Sequence, residues 1–322
     1  MILVVGEALI DLIGDSENAG KYTSVVGGAN ANVALALARR GTPQKFAGRL
    51  SSDGFGTQIK HRLASNGVDL SWSIDALEQT TLAVATIDSA GVASYSFYVN
   101  GTADWGWTKD ELPSQDKLIE AGVHAIQFGC LAMAVEPGNL VLEAWLSQLA
   151  ETTNFTLSHD LNIRSALGFE RDVELSRVLR VNAFSNLIKA SDADIEWLYD
   201  LAPGSELNAI ALEWAGEDKL VVITRGGDGA DLYFAGSKYS VTAPKINLVD
   251  TVGAGDTFMA NLLTELGNLD GLGSDPASRF GRLSEKDLLH CLDVAAKAAA
   301  LVCERQGCEP PTEREVMAAL SR

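Results

Sequence analysis

The sequence predicts an α/β protein with a mostly parallel central sheet covered by helices on both faces. Three observations carry that prediction. From residue 117 onward, apolar strand-like runs alternate with helix-like segments, the order expected of parallel strands joined by crossover helices. The first strand, Ile2–Val5, is apolar at every position and ends in Gly6, as a strand buried on both faces should be. Polar and glycine-rich clusters follow successive strands, and beyond the carboxyl ends of such strands is where ligands bind.

After Ile2–Val5 come Glu7 and Asp11 among apolar neighbours. Carboxylates at the end of a buried strand are costly unless something binds them. A salt bridge or a helix cap accounts for Glu7, and Asp11 is the ligand candidate. Gly27-Gly28-Ala29-Asn30-Ala31-Asn32 opens an apolar helix, Val33–Arg40, closed by Gly41. Paired glycines let a backbone approach a ligand, and Asn32 offers both a donor and an acceptor. Asp53–Asn66 reads as a helix stopped by Gly67. Leu82–Asp88 and Ala93–Tyr98 alternate and are joined by Ser89-Ala90-Gly91. This hairpin signal suits a small sheet over a cleft, with Phe97 or Tyr98 placed to close on a ligand.

The regular alternation then runs helix Leu118–Gly122, strand His124–Phe128, helix Leu140–Ala150, strand Phe155–His159, helix Val173–Val181 and strand Ala183–Ile188. Helices Asp194–Tyr199 and Glu206–Ala215 lead to strand Leu220–Thr224. Asp160, Asn162 and Arg164 follow one strand, Lys189 and Ser191 the next, and Thr224–Gly229 the third. Gly267–Gly281 reads as loop, and helices Glu285–Glu304 and Glu313–Leu320 end the order.

The chain is organised around Asp250-Thr251-Val252-Gly253-Ala254-Gly255-Asp256-Thr257-Phe258-Met259. A strand-like approach, Tyr239–Val249, precedes it and an apolar helix, Phe258–Leu266, follows. Strand, glycine turn and helix together aim backbone N–H groups and the positive end of the helix dipole at one point, which makes an anion site. Asp256 sits at its mouth, where the helix terminus should keep the carboxylate charged. From there it can take a proton from an attacking hydroxyl while the amides hold a phosphoryl group.

The 322 residues suffice for one large α/β domain. A net charge of −18 argues against nucleic acid and anionic membrane surfaces as partners. It leaves nucleotides open, since a bound cation and local amides dominate the field there. Cys130, Cys291, Cys303 and Cys308 form no Cys-x-x-Cys pair, so buried reduced thiols of a cytoplasmic protein are expected, without structural zinc. The start carries no signal-peptide pattern and no apolar run is of membrane-spanning length.

With these residues in hand, the chain resembles the ribokinase-like (phosphofructokinase-B) family of sugar kinases over nearly its whole length, most of all the bacterial fructokinases. Asp250–Phe258 resembles the family's second signature and Gly27–Ala34 its first. Gly6–Asp11, Phe97-Tyr98 with Thr102-Ala103-Asp104-Trp105, and Asp160-Leu161-Asn162-Ile163-Arg164 resemble fructokinase more than ribokinase. The resemblance implies a ribokinase-like three-layer sandwich in a single domain, residues 1–322, with a β-sheet lid from about 12–26 and 80–104. It implies that Asp256 is the catalytic base and that Gly253, Ala254 and Gly255 form the anion hole. Asp11, Gly28, Asn32, Tyr98, Asp160 and Arg164 would surround the sugar. Thr224, Gly226 and Gly229 would hold ATP, with Lys189 near its phosphates, and carbonyls around Asp250 and Val252 would hold K+. Departures fall at Asn30, Ser51 and Asn261. Ser191-Asp192-Ala193-Asp194 stands for the family's Asn-x-x-Glu, so Asp194 should reach Mg2+ through water.

The expected activity is therefore ATP-dependent phosphorylation of a primary hydroxyl on a small neutral sugar, fructose to fructose 6-phosphate first. Ribose, 2-keto-3-deoxygluconate or a nucleoside are the alternatives within the class, and a sugar sensor that has lost catalysis is the alternative outside it. A dehydrogenase is disfavoured because no Gly-x-Gly-x-x-Gly follows the first strand. Pairing through the apolar face of the lid would make a homodimer.

Overall fold

The computed structural model describes residues 1–15, 18, 20–87 and 93–321, the side chains of 87 and 93–95 excepted. The proposed turn Ser89-Ala90-Gly91 lies outside the described residues. In chain order the N-terminal part holds β1 (Ile2–Val5), β2 (Leu9–Gly14), β3 (Tyr22–Gly27), α1 (Ala29–Arg39), β4 (Gln44–Ala47), β5 (Arg49–Ser51), α2 (Gly54–Ser65) and β6 (Ile74–Ala76). β7 (Leu82–Ile87) and β8 (Ala93–Tyr98) follow, then α3 (Gln115–Glu120), β9 (Ala125–Gly129), α4 (Gly138–Ala150) and β10 (Thr156–Asp160). Next come α5 (Arg171–Phe184), β11 (Leu187–Ser191), α6 (Asp192–Leu198), α7 (Asn208–Ala215), β12 (Leu220–Thr224), β13 (Ala230–Phe234) and β14 (Ser237–Val241). The order ends with α8 (Ala254–Asn268), α9 (Pro276–Phe280), α10 (Glu285–Cys303) and α11 (Glu313–Leu320).

Eight strands form the main sheet in the order β14-β13-β12-β11-β10-β9-β1-β4. The six from β12 to β4 are parallel to their neighbours, and β13 and β14 add an antiparallel edge. Period-2 alternation sends successive side chains of each strand to opposite faces. Ile2, Val4, Leu187 and Val222 enter a core with α1, α8 and α10. Leu3, Val5, Ile126 and Leu157 enter the opposite core with α4, and Ile188, Val221 and Ile223 enter another with α6 and α7. Each such side chain contributes about 1.5–3 kcal/mol when fully buried, so the α/β layering follows from strands that are apolar on both faces.

α8 lies against α1 and α10 and is buried at every position from Asp256 to Leu266. That helix carries the Gly253–Asp256 stretch, which is therefore mounted on the core rather than on a mobile loop.

The second sheet runs β3-β2-β7-β8. In it Asp11 pairs with Val25 and Ala83, and Ala83 pairs with Phe97. Among the described residues no helix is long and apolar enough to cross a membrane.

Three differences from expectation change what a segment is rather than only where an element starts or stops. The strand expected over Tyr239–Val249 ends at Val241, and residues 242–253 run as irregular chain. Pro244 cannot donate to a ladder, and Leu248 and Val249 stay exposed. Ala183 and Phe184 finish α5 rather than opening a strand, because a short apolar run reads equally as buried helix. The loop-like 267–281 contains α9, which starts at Pro276, a residue suited to a first helical turn.

Candidate active site

The rim of the main sheet gathers three helix N-termini, and their caps decide which of them is open to an anion. Glu7, fully buried just past β1, accepts from Ala29 N at 2.9 Å, Asn30 N at 3.4 Å, Asn30 Nδ2 at 2.9 Å and Ala132 N at 3.2 Å. It is thus a remote cap for α1, and burial raises its pKa against those hydrogen bonds. α6 is closed by a capping box in which Ser191 N donates to Asp194 Oδ2 at 2.8 Å and Asp194 N to Ser191 Oγ at 3.1 Å. α8 begins at Gly253 with no side-chain cap. Among the described residues, the N–H groups of Gly253, Gly255 and Asp256 donate to no protein acceptor. Open amides at a helix N-terminus are an anion site.

Gly253 is in the left-handed region, φ 76°, and the Cys308 side chain fills the space a Cβ would need. Only glycine satisfies both conditions. A Cβ at Gly255 would lie 3.4 Å from Lys189 Nζ, which places a cation against the open amides. Lys189 Nζ donates to both oxygens of Asp160 at 2.9 Å, in a buried pair. Burial works against the charged lysine, but the carboxylates of Asp160, Asp194 and Asp256 together outweigh it and raise the pKa. Asp160 is thereby committed to the lysine at both oxygens.

Asp256 lies in the first turn of α8, 7% exposed, and accepts from Asn32 Nδ2 at 2.8 Å. Burial pushes its pKa to about 7, with Asn32, Arg164 and Lys189 pulling the other way and Asp160 adding to the rise. The expectation that the helix terminus keeps this carboxylate charged is corrected here, since desolvation disfavours the charged form by more. Asn32 bonds the carboxylate itself, a pairing the sequence reading did not contain.

Asp11 faces the same cleft from β2, its carboxylate packed on the backbone of Gly27. Burial raises its pKa to about 6 and Arg164 lowers it. The exposed Arg164, just before the 3₁₀ turn Ser165–Leu167, makes no salt bridge among the described residues. Gly28, φ 101°, starts α1 against the backbone of Glu7 and Ala8. Tyr98 is not brought to this cleft. It shares the register row of Ile10 and Leu82 and is 60% exposed, whereas Phe97 shares the row of Ala83 and Asp11. Side chains on adjacent residues of a strand point to opposite faces, so Phe97, packed with Leu9, Trp105 and Cys130, replaces it.

At the end of β12, Thr224 Oγ1 lies 3.4 Å from Ala190 O, and the turn is closed by Arg225 N donating to Gly229 O at 2.8 Å. Gly226 and Gly229 both have positive φ there. Asp194 also accepts from Ile163 N at 2.9 Å, so each of its oxygens already holds an amide. Asp250 accepts from Val252 N at 3.0 Å and Gly307 N at 2.9 Å. Among the described residues the carbonyls of Asp250 and Val252 accept no hydrogen bond, and carbonyl oxygens are the donor type that hard cations take.

Of the departures, Asn30 is explained by its bonds to Glu7 and to Gly129 O at 3.1 Å. Ser51 Oγ accepts from Asp53 N at 3.1 Å ahead of α2. Asn261 Nδ2 donates to Thr257 O at 2.8 Å within α8.

A family model described as pfkB family carbohydrate kinase matches residues 1–315. The chain is 34% identical over 269 residues to a fructokinase of Rhizobium leguminosarum bv. trifolii, covering 83% of this chain and 79% of that one. A fructokinase of Xylella fastidiosa solved with bound ATP is similar at a TM-score of 0.86 and 25% identity, over 99% of this chain and 98% of that one. A fructokinase of Vibrio cholerae in a fructose-, ADP- and calcium-bound form is similar at 0.81 and 26% identity, over 99% and 98%. With the family model spanning residues 1–315 and a relative 34% identical over 83% of this chain, the chain belongs to the pfkB family of carbohydrate kinases.

Proposed function

We propose that this protein is an ATP-dependent kinase that phosphorylates a primary hydroxyl of fructose to give fructose 6-phosphate. The observation that carries the proposal is Asp256, set in the first turn of the uncapped α8 with Lys189 beside the same amides. The fructokinase relatives, one of them solved with fructose and ADP, support the choice of sugar.

In this mechanism Asp256 accepts the hydroxyl proton, and Asn32 fixes the carboxylate that receives it. The open amides of Gly253, Gly255 and Asp256 and the Lys189 ammonium stabilise charge on the phosphoryl group as it transfers, the main demand of a loose transition state; the Ala254 amide, expected among them, is taken by Thr251 O at 3.2 Å. Asp160 holds Lys189 in place. Asp11, an acceptor-only group when ionised, takes hydrogen bonds from sugar hydroxyls, and Gly28 leaves room for them. Arg164 stands at the cleft mouth and Phe97 closes it from the second sheet, which serves as the lid. Thr224, Gly226 and Gly229 form the nucleotide turn.

Mg2+ would neutralise nucleotide phosphates, and Asp194, with both oxygens already accepting amides, would reach it through water. K+ fits the carbonyls of Asp250 and Val252. The four free, buried cysteines support a cytoplasmic setting.

The test is ADP release by purified protein over a panel of sugars and nucleosides with Mg2+. Fructose should give the highest kcat/KM. Faster turnover of ribose or a nucleoside would replace fructose, and no ADP release with any of them would sink the kinase reading.

A further inference from the structure

Three of the segments that lead into or out of the lid sheet converge on one buried carboxylate. The chain enters β2 through Ala8, enters β7 through Thr81, and leaves β8 through residues 99–104. Asp104 Oδ1 accepts from Ala8 N at 2.9 Å, and Oδ2 accepts the Thr81 hydroxyl. Thr102 Oγ1 lies within hydrogen-bond distance of Thr81 Oγ1 and of Val99 O. Thr81 O accepts in turn from Ile10 N at 3.1 Å. Asp104 is 1% exposed, and Thr81 and Thr102 are buried with it.

Among the described residues no cation pairs with Asp104. A carboxylate buried without a cation is expensive, and here Ala8 N and the Thr81 hydroxyl both come from segments that lead into the lid sheet. Nor is Asp104 hydrogen-bonded to Asp256, Asn32 or Lys189. Its route to the site runs along β2, where Asp11 lies three residues beyond Ala8.

We propose that Asp104 is a positioning residue for the sugar site: its carboxylate pins the starts of β2 and β7 together and so fixes Asp11 and the inner lid face over the cleft. The kinetic consequence rests on the kinase reading above, but the pin itself does not.

The test compares Asp104→Ala, Asp104→Asn and Thr81→Val in the full chain, by hydrogen exchange of the free protein and by steady-state kinetics. Loss of one buried hydrogen bond to a charged group should speed exchange of the β2 and β7 amides by roughly tenfold, with β9–β11 unchanged. In the same variants the fructose KM should rise by a similar roughly tenfold factor while the ATP KM stays near wild type. Asp104→Asn should restore much of both, since its amide oxygen still accepts from Ala8 and its NH2 can meet Thr81 Oγ1. Should Asp104→Ala fail to fold, Thr81→Val alone decides. Lid-base amides as protected as in wild type would overturn the proposal, as would faster exchange spread evenly over both sheets. A rise in both KM values together would overturn the positioning role. If wild-type protein phosphorylates no sugar, the kinase reading fails and the exchange pattern alone decides the pin.

Discussion

Asp256 carries opposite consequences for activity and stability, and both follow from its burial. Asp256→Asn should lower turnover by roughly 10²-fold or more, the usual scale for losing a general base, with ATP affinity nearly unchanged. Because its pKa is raised to about 7, kcat/KM in the wild type should climb as pH rises towards that value and level off above it. The stability sign is the reverse. Between the ordinary carboxyl value of 3.8 and about 7 the folded state binds the proton that the unfolded state has released, so stability falls as pH rises through that window. Asp256→Asn should therefore melt higher than wild type at pH 8, with the gain vanishing below pH 3.8; equal melting temperatures at pH 8 would show that the carboxylate is not strained by burial. Asp11→Ala should raise the sugar KM strongly and leave the ATP KM in place; if both rise, Asp11 is structural. The glycines and acids of these motifs were legible because special backbone geometry and strand-end charge leave marks in sequence. Partners were not. Asn32 to Asp256 spans 224 positions and Asp160 to Lys189 spans 29, choices made only by the packed sheet. Phe97 and Tyr98 are told apart by a register, and register depends on pairing that one strand does not reveal.

Capping is where an element decides function. α1 and α6 each spend a carboxylate on their own N-termini, through Glu7 and Asp194, and α8 spends none. Asn caps a helix nearly as well as Asp, so by its type alone Asp194→Asn should separate a metal role from a capping role. The geometry changes that expectation. Asp194 feeds two different amides, Ser191 N and Ile163 N, and Asn has a single acceptor oxygen. The variant should lose about 1–3 kcal/mol of stability from the unpaired amide, seen as a lower denaturation midpoint. If Asp194 also orders water around Mg2+, the free Mg2+ needed for half-maximal rate rises as well while the sugar KM stays put. An unchanged Mg2+ requirement in the folded variant would leave only the cap. Element order and type were readable from alternation alone. Boundaries failed where an apolar run had no period, as at Ala183-Phe184, and where Leu248 and Val249 imitate a strand without burying anything.

At the scale of the molecule, the main sheet is fixed by apolar burial on both faces, but the lid sheet is not closed off in the same way. It has two edges, β3 and β8, and open edges are templates for pairing unless something covers them. Tyr98 stands on the β8 edge, turned away from Asp11, and Ile13 and Tyr22 are also exposed apolar groups on this sheet. The sequence placed Tyr98 in the sugar site because an aromatic in a lid hairpin invites that reading. Its face and exposure suit contact with a second copy instead, and a homodimer paired through the lid remains our proposal for the assembly. Light scattering should then give a mass twice the 34.2 kDa of one chain. Tyr98→Asp adds a charge at the edge, a device that blocks strand pairing, and should shift the mass to that of a monomer without changing the ATP KM. If the wild type is monomeric at all concentrations, the lid edge has no second copy to meet, and Tyr98→Asp should then leave mass and kinetics alike untouched.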